Sequence, residues 1–272
     1  MQYFDFTHKI RIAYEERGSS GPPLVFLHGF GASRESWNDI APLLASHARL
    51  YLLDLMGFGM SSKPAGIEYS IATHATIVSQ FMRSRGLRDV TLVGHSYGGG
   101  VALRTYLDHE AGPVDRLILI DAAGYRQPLP FFVGALRVPL LNGVILNCLP
   151  ANLRASMTLR HLFHSREAVT RERIQRYARY FDMPGAHMSY VAAARHVVPA
   201  DHGDLVDRIP TIDIPTLVVW GRNDAVIDVS NARHFANDLP KATLRLVDDC
   251  GHIPHEEKPD ETAAAILEFI RE

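Results

Sequence analysis

The 272-residue chain has only two cysteines, Cys148 and Cys250. Two thiols cannot build a disulfide scaffold or a four-thiolate zinc site, and each is expected as a buried filler. Excess charge is also missing: 28 Lys plus Arg stand against 30 Asp plus Glu, a formal net charge of −2. With no basic field to draw in nucleic acid or an anionic membrane, a neutral small-molecule partner fits better. No long apolar run is present. The nearest approach, residues 131–149, is broken by Arg137, Pro139, Asn142, Gly143 and Asn147, so no stable membrane insertion is expected. The opening residues up to Lys9 show no apolar run after a charge, which predicts a cytoplasmic protein without a signal peptide. Repeats and low-complexity tracts are absent, and 47% hydrophobic with 21% charged residues excludes disorder, collagen and coiled coil.

What is present is alternation. Short aliphatic or β-branched runs at 2–6, 10–16, 24–27, 50–53, 90–93, 117–120, 216–220 and 244–247 predict about eight strands. Helical patterns lie between them at 36–46, 70–86, 97–109, 230–238 and 259–271, the last opening on Pro259. This order predicts an α/β fold: a mostly parallel eight-stranded sheet with helices on both faces. One interval breaks the rule, because more than ninety residues separate Asp121 from Thr216. That is too long for a structureless loop, and its segments 151–163, 166–181 and 186–196 carry helix formers punctuated by Pro150, Pro184-Gly185 and Pro199. We therefore expect a core of residues 1–123 and 210–272 and an inserted helical cap of residues 124–209. Such a cap covers the carboxyl ends of the strands, where open α/β sheets bind ligands.

The chemistry-bearing residues sit at those strand ends. Gly94-His95-Ser96-Tyr97-Gly98-Gly99 follows a strand and opens a helix, the context a G-x-S-x-G elbow requires. A serine hydroxyl is a poor nucleophile until a base takes its proton, and the base needs a carboxylate to fix its tautomer. Asp224 follows the next-to-last strand and His252 the last, so the order is Ser, Asp, His. His255 rivals His252 as base, Asp121 and Asp228 rival Asp224 as acid, and Asp248 and Asp249 read as turn charges. Backbone N–H groups of Phe30 and Tyr97 are candidates for an oxyanion hole, since glycines flanking Phe30 let that loop turn toward the nucleophile. His28, Gly29, His95, Phe131 and Phe132 are candidate substrate contacts. The chain has 14 histidines but neither H-E-x-x-H nor paired ligand spacing, so no metal and no organic cofactor is expected.

The motifs His28-Gly29-Phe30-Gly31, Asp54-Leu55-Met56-Gly57-Phe58-Gly59-Met60-Ser61, the Ser96 elbow, Trp220-Gly221-Arg222-Asn223-Asp224 and Gly251-His252 occur in order. In these the chain resembles the α/β-hydrolase fold superfamily, its serine esterase and lipase branch with a helical cap. The resemblance implies Ser96 as nucleophile, His252 as general base and acid, and Asp224 as orienting carboxylate. It also argues against dehalogenase and epoxide hydrolase chemistry, because those similar enzymes carry an aspartate where Ser96 stands. The implied reaction is hydrolysis of small to medium, largely apolar carboxylic esters through an acyl-enzyme. Rival readings are a carbon-carbon bond hydrolase, lactonase or perhydrolase on the same triad, and a small-ligand receptor with weak hydrolase activity. The oligomeric state, monomer or dimer, is left open.

Overall fold

The computed structural model describes residues 1–108 and 112–271. Strands β1 (Gln2–Thr7), β2 (Ile10–Arg17), β3 (Pro23–Leu27), β4 (Arg49–Leu53), β5 (Val90–His95), β6 (Val114–Ile120), β7 (Thr216–Gly221) and β8 (Ala242–Val247) form one sheet. Its order is β1-β2-β4-β3-β5-β6-β7-β8. Only β1–β2 and β2–β4 pair antiparallel; every pairing from β4 to β8 is parallel. The sheet is covered on both sides, and β3 shows how: Leu24 and Phe26 join the core on one face, Val25 and Leu27 that on the other.

The helices are α1 (Ala41–Leu44), α2 (Ile71–Ser84), α3 (Tyr97–Asp108), α4 (Phe131–Leu136), α5 (Pro139–Cys148) and α6 (Ala151–Leu162). They continue as α7 (Arg171–Ala178), α8 (Ala186–Arg195), α9 (His202–Arg208), α10 (Ser230–Asp238), α11 (Pro254–Glu257) and α12 (Pro259–Arg271). Helices α4 to α8 make the inserted segment between β6 and β7. Ser70 caps α2 by accepting the Thr73 N–H. The last residue of the helix expected over 97–109, His109, lies outside the described residues.

Several expectations change in detail. The helix expected over 36–46 is a 3-10 turn, Arg34–Trp37, followed by α1. Ser33 caps the Glu35 N–H and starts the turn early, and Pro42 fits only the first turn of a new helix. Residues 131–149 form two helices because Pro139 opens α5. Residues 166–181 split into a 3-10 turn and α7, whose N-cap is Thr170. Cys250 is buried, whereas Cys148 is exposed at the end of α5 and is no core filler. No helix among the described residues is long and apolar enough to cross a membrane.

Two buried contacts bring the strand ends together. Asp54, after β4, accepts the Arg34 main-chain N–H at 2.6 Å and the Arg34 guanidinium at 2.6 Å, tying the loop after β3 to its neighbour. At the end of β7, a Cβ on Gly221 would stand 1.9 Å from the carbonyl of Gly251 and 2.7 Å from that of Cys250. Only a residue without a side chain lets the loop after β8 close on β7. Gly221→Ala is therefore expected to cost about 3 kcal/mol, read as a lower urea midpoint with an unchanged slope.

Candidate active site

Ser96 stands where β5 turns into α3, with φ of 50°, in the left-handed region a non-glycine residue rarely adopts. The turn is over-determined by its backbone: the Ser96 N–H donates to Ile120 O at 3.0 Å, and its carbonyl accepts from Gly99 and Ala123 at 2.9 Å each. This projects the hydroxyl out of the sheet edge. Asp224, three residues past β7, is held by the N–H groups of Val226 and Ile227, which donate to its Oδ1 at 2.7 and 3.0 Å.

His252 lies between them. Its Nδ1–H donates to Asp224 Oδ2 at 2.8 Å, which leaves Nε2 to accept the Ser96 hydroxyl at 2.9 Å. The carboxylate thus fixes the tautomer in which the free lone pair faces the serine. The main chain of His252 is also held: its N–H donates to Leu162 O of α6 at 2.7 Å, and its carbonyl accepts from His95 Nε2 at 2.8 Å. His95 is buried, and desolvation pushes it well below the ordinary histidine range, so it is a neutral donor here.

A cavity of about 210 Å³ opens over Ser96 and His252 beneath the inserted helices. Its walls are mostly apolar, with Ile71, Phe132, Leu136, Leu146, Val226 and Ile227 among them. Phe30 and Tyr97 line it too, and among the described residues neither main-chain N–H has an intramolecular acceptor. The Tyr97 hydroxyl points away, donating to Nδ1 of buried His74 at 2.8 Å while His74 Nε2–H donates to Met56 O.

Of the five candidate substrate contacts, Gly29, His95 and Phe132 line the cavity, and His28 and Phe131 do not. His28 is fully buried: its Nδ1–H donates to Gly29 O at 2.8 Å and its Nε2 accepts the Leu55 N–H at 3.0 Å, so it braces two loops. Phe131 is 71% exposed on the outer side of α4, opposite the face that buries Val133 and Leu136. Of the rivals, His255 and Asp228 fall elsewhere and Asp121 does not. His255 stacks on Trp37 at 4.2 Å, with both ring nitrogens buried and unpartnered. Asp228 accepts the Ser230 N–H, and Asp248 pairs with Arg222. Asp121 is buried beside Asp224 and His252.

Glu256 and Glu257 escaped the sequence reading. Glu256, with no exposed side-chain surface, accepts the Tyr177 hydroxyl at 2.5 Å and lies 2.9 Å from Arg173 Nε, both on α7. Glu257 accepts main-chain N–H groups of Ser165 and Gly251 at 2.6 and 2.8 Å. These two carboxylates bolt the inserted helices onto the loop that carries His252. The one signal in the sequence is charge: adjacent acids just past His252, and an arginine-rich stretch at 171–179.

Parallel sheet, strained serine turn and strand-end acid and histidine together define a hydrolase-type α/β architecture. The α/β hydrolase fold profile matches residues 22–259, and the chain belongs to that family. Lipase 1 of Psychrobacter immobilis is 28% identical over 267 residues, spanning 93% of this chain and 78% of that protein. The 2-hydroxy-6-oxo-6-(2'-aminophenyl)hexa-2,4-dienoic acid hydrolase of Metapseudomonas resinovorans is also 28% identical, over 276 residues, 96% of this chain and 88% of that one. Among solved structures, a thermophilic esterase from Thermogutta terrifontis with malate bound superposes with a TM-score of 0.83 at 25% identity, covering 100% of this chain and 98% of the other.

Burial makes His255 sensitive to acid. Desolvation pushes it down to about 3 from an ordinary value of 6.5. Between those values the unfolded chain binds a proton that the folded chain refuses, so stability falls as the pH drops from about 6.5 toward 3, by up to about 5 kcal/mol. His255→Phe keeps the stack on Trp37 and removes both unpartnered nitrogens. Urea midpoints at pH 7, 5.5 and 4 are expected to show no loss at pH 7 and a shallower decline on acidification than in the wild type.

Proposed function

We propose that the protein is a serine hydrolase that cleaves carboxylic esters of small to medium, largely apolar substrates through an acyl-enzyme. The observation that carries this reading is the unbroken series of hydrogen bonds from Ser96 through His252 to Asp224, opening on an apolar cavity. In this reading His252 Nε2 takes the Ser96 proton as Oγ attacks the ester carbonyl, and Asp224 stabilises the imidazolium that forms. The N–H groups of Phe30 and Tyr97 receive the oxyanion, Tyr97 aided by its place at the first turn of α3. His252 then passes its proton to the departing alcohol, and water repeats the sequence on the acyl-enzyme. The cap, residues 124–209 in this assignment, supplies Phe132, Leu136 and Leu146 to the wall that receives the apolar part of the substrate.

A second reading, hydrolysis of a carbon-carbon bond, is favoured by the likeness to the dienoic acid hydrolase. Both readings use Ser96, so substrate separates them. With p-nitrophenyl esters from acetate to laurate, the wild type is expected to turn over and Ser96→Ala to lose about 10⁴-fold or more in kcat. Ester turnover below that of free imidazole, together with cleavage of a vinylogous diketone, would favour the second reading.

A further inference from the structure

Behind the proposed triad lies a second buried acid to which no role has been assigned. Asp121 directly follows β6 with φ of 42°, a strained conformation for a residue with a side chain, and it has no solvent exposure. Its Oδ1 accepts the Gly221 N–H at 3.0 Å, while its Oδ2 is buried with no donor facing it. A carboxylate oxygen of Asp121, one of Asp224 and a ring nitrogen of His252 all lie within 4.8 Å of one another.

Two carboxylates that close, in a buried site, do not both ionise. The donors decide which one keeps the charge. Asp224 receives three, from Val226, Ile227 and His252, and Asp121 receives one. We infer that Asp121 is a positioning residue whose carboxyl O–H donates to Asp224, so that the two acids share one proton behind His252. The inference rests on the reading of Asp224 as the orienting carboxylate.

The surroundings agree. Burial first, and then the charge of Asp224, hold the Asp121 carboxyl well above the usual carboxylate range. The other titratable groups facing it are Cys250 of the loop after β8 and Glu257 of α11. Cys250 is buried and stays a neutral thiol, and the Glu257 oxygens are occupied by main-chain donors. Among the described residues no Lys or Arg pairs with Asp121, and the Gly221 N–H is its one donor, too little to hold a second negative charge there. The donated hydrogen bond spreads the charge of Asp224 and holds its carboxyl plane toward the imidazole. Were Asp224 made neutral, Asp121 would release its proton to water and become the anion nearest His252.

Two measurements test this. The first is independent of activity: the protein is labelled with ¹³C at aspartate carboxyl carbons and its NMR spectrum recorded at pH 7. One aspartate signal is expected at the protonated position, vanishing in Asp121→Asn; a spectrum with every aspartate ionised overturns the inference. The second is the pH profile of kcat/KM for Asp224→Asn and for Asp121→Asn/Asp224→Asn, on whichever substrate the wild type turns over. The single variant is expected to keep residual activity that rises with pH as Asp121 ionises. The double variant is expected to lose that rise and to fall about tenfold further. Identical profiles overturn the inference. A wild type inert toward all esters would defeat the proposed reaction while leaving the NMR result to decide the proton on Asp121.

Discussion

Four hydrogen bonds fix His252, two through its ring and two through its main chain, and the rest of the site is arranged by them. The ring bonds run to Asp224 and Ser96, so they set tautomer and direction. The main-chain bonds run to Leu162 in the inserted helices and to His95 beside the nucleophile, so they set where the ring stands. A loop residue without such anchors would be free to wander. Here it is pinned between the sheet edge and the cap, and the Glu256 and Glu257 contacts repeat the clamp a few residues on.

That clamp gives the two halves of the inserted segment different relations to the core. Helices α6 and α7 are joined to the His252 loop by main-chain and charged contacts, so displacing them displaces His252 itself. Helices α4 and α5 contribute the apolar wall and carry large exposed apolar side chains, Leu140 at 87% and Val144 at 54% among them. The α6–α7 pair holds the His252 loop in place, and the α4–α5 pair forms part of the cavity wall.

The strands and the strand-end residues were legible because each is encoded locally. A fully buried parallel strand must be an unbroken aliphatic run, as in β5 and β7, and a strained serine turn must be flanked by glycines. Ser96 and Asp224 each follow such a run by a few residues and His252 follows the half-buried edge strand β8, so the topology alone brings them to one edge. What escaped depends on partners distant in the chain. His28 precedes the candidate oxyanion loop and reads as a substrate contact, yet its ring is consumed by Gly29 and Leu55. Phe131 and Phe132 are adjacent and chemically alike, and only the rotation of α4 sends one to solvent and the other to the cavity. Glu256 acquires its place from α7, 79 residues away.

The order of these parts along the chain has a consequence for biosynthesis. Ser96 precedes His252 by 156 residues, and the whole inserted segment lies between them. A growing chain therefore presents the Ser96 hydroxyl long before the His252 that accepts its hydrogen bond has been made. β8 pairs only with β7 at the sheet's edge, and the loop carrying His252 follows β8. Until that last strand docks, the Ser96 hydroxyl has no His252 beside it and is an ordinary alcohol.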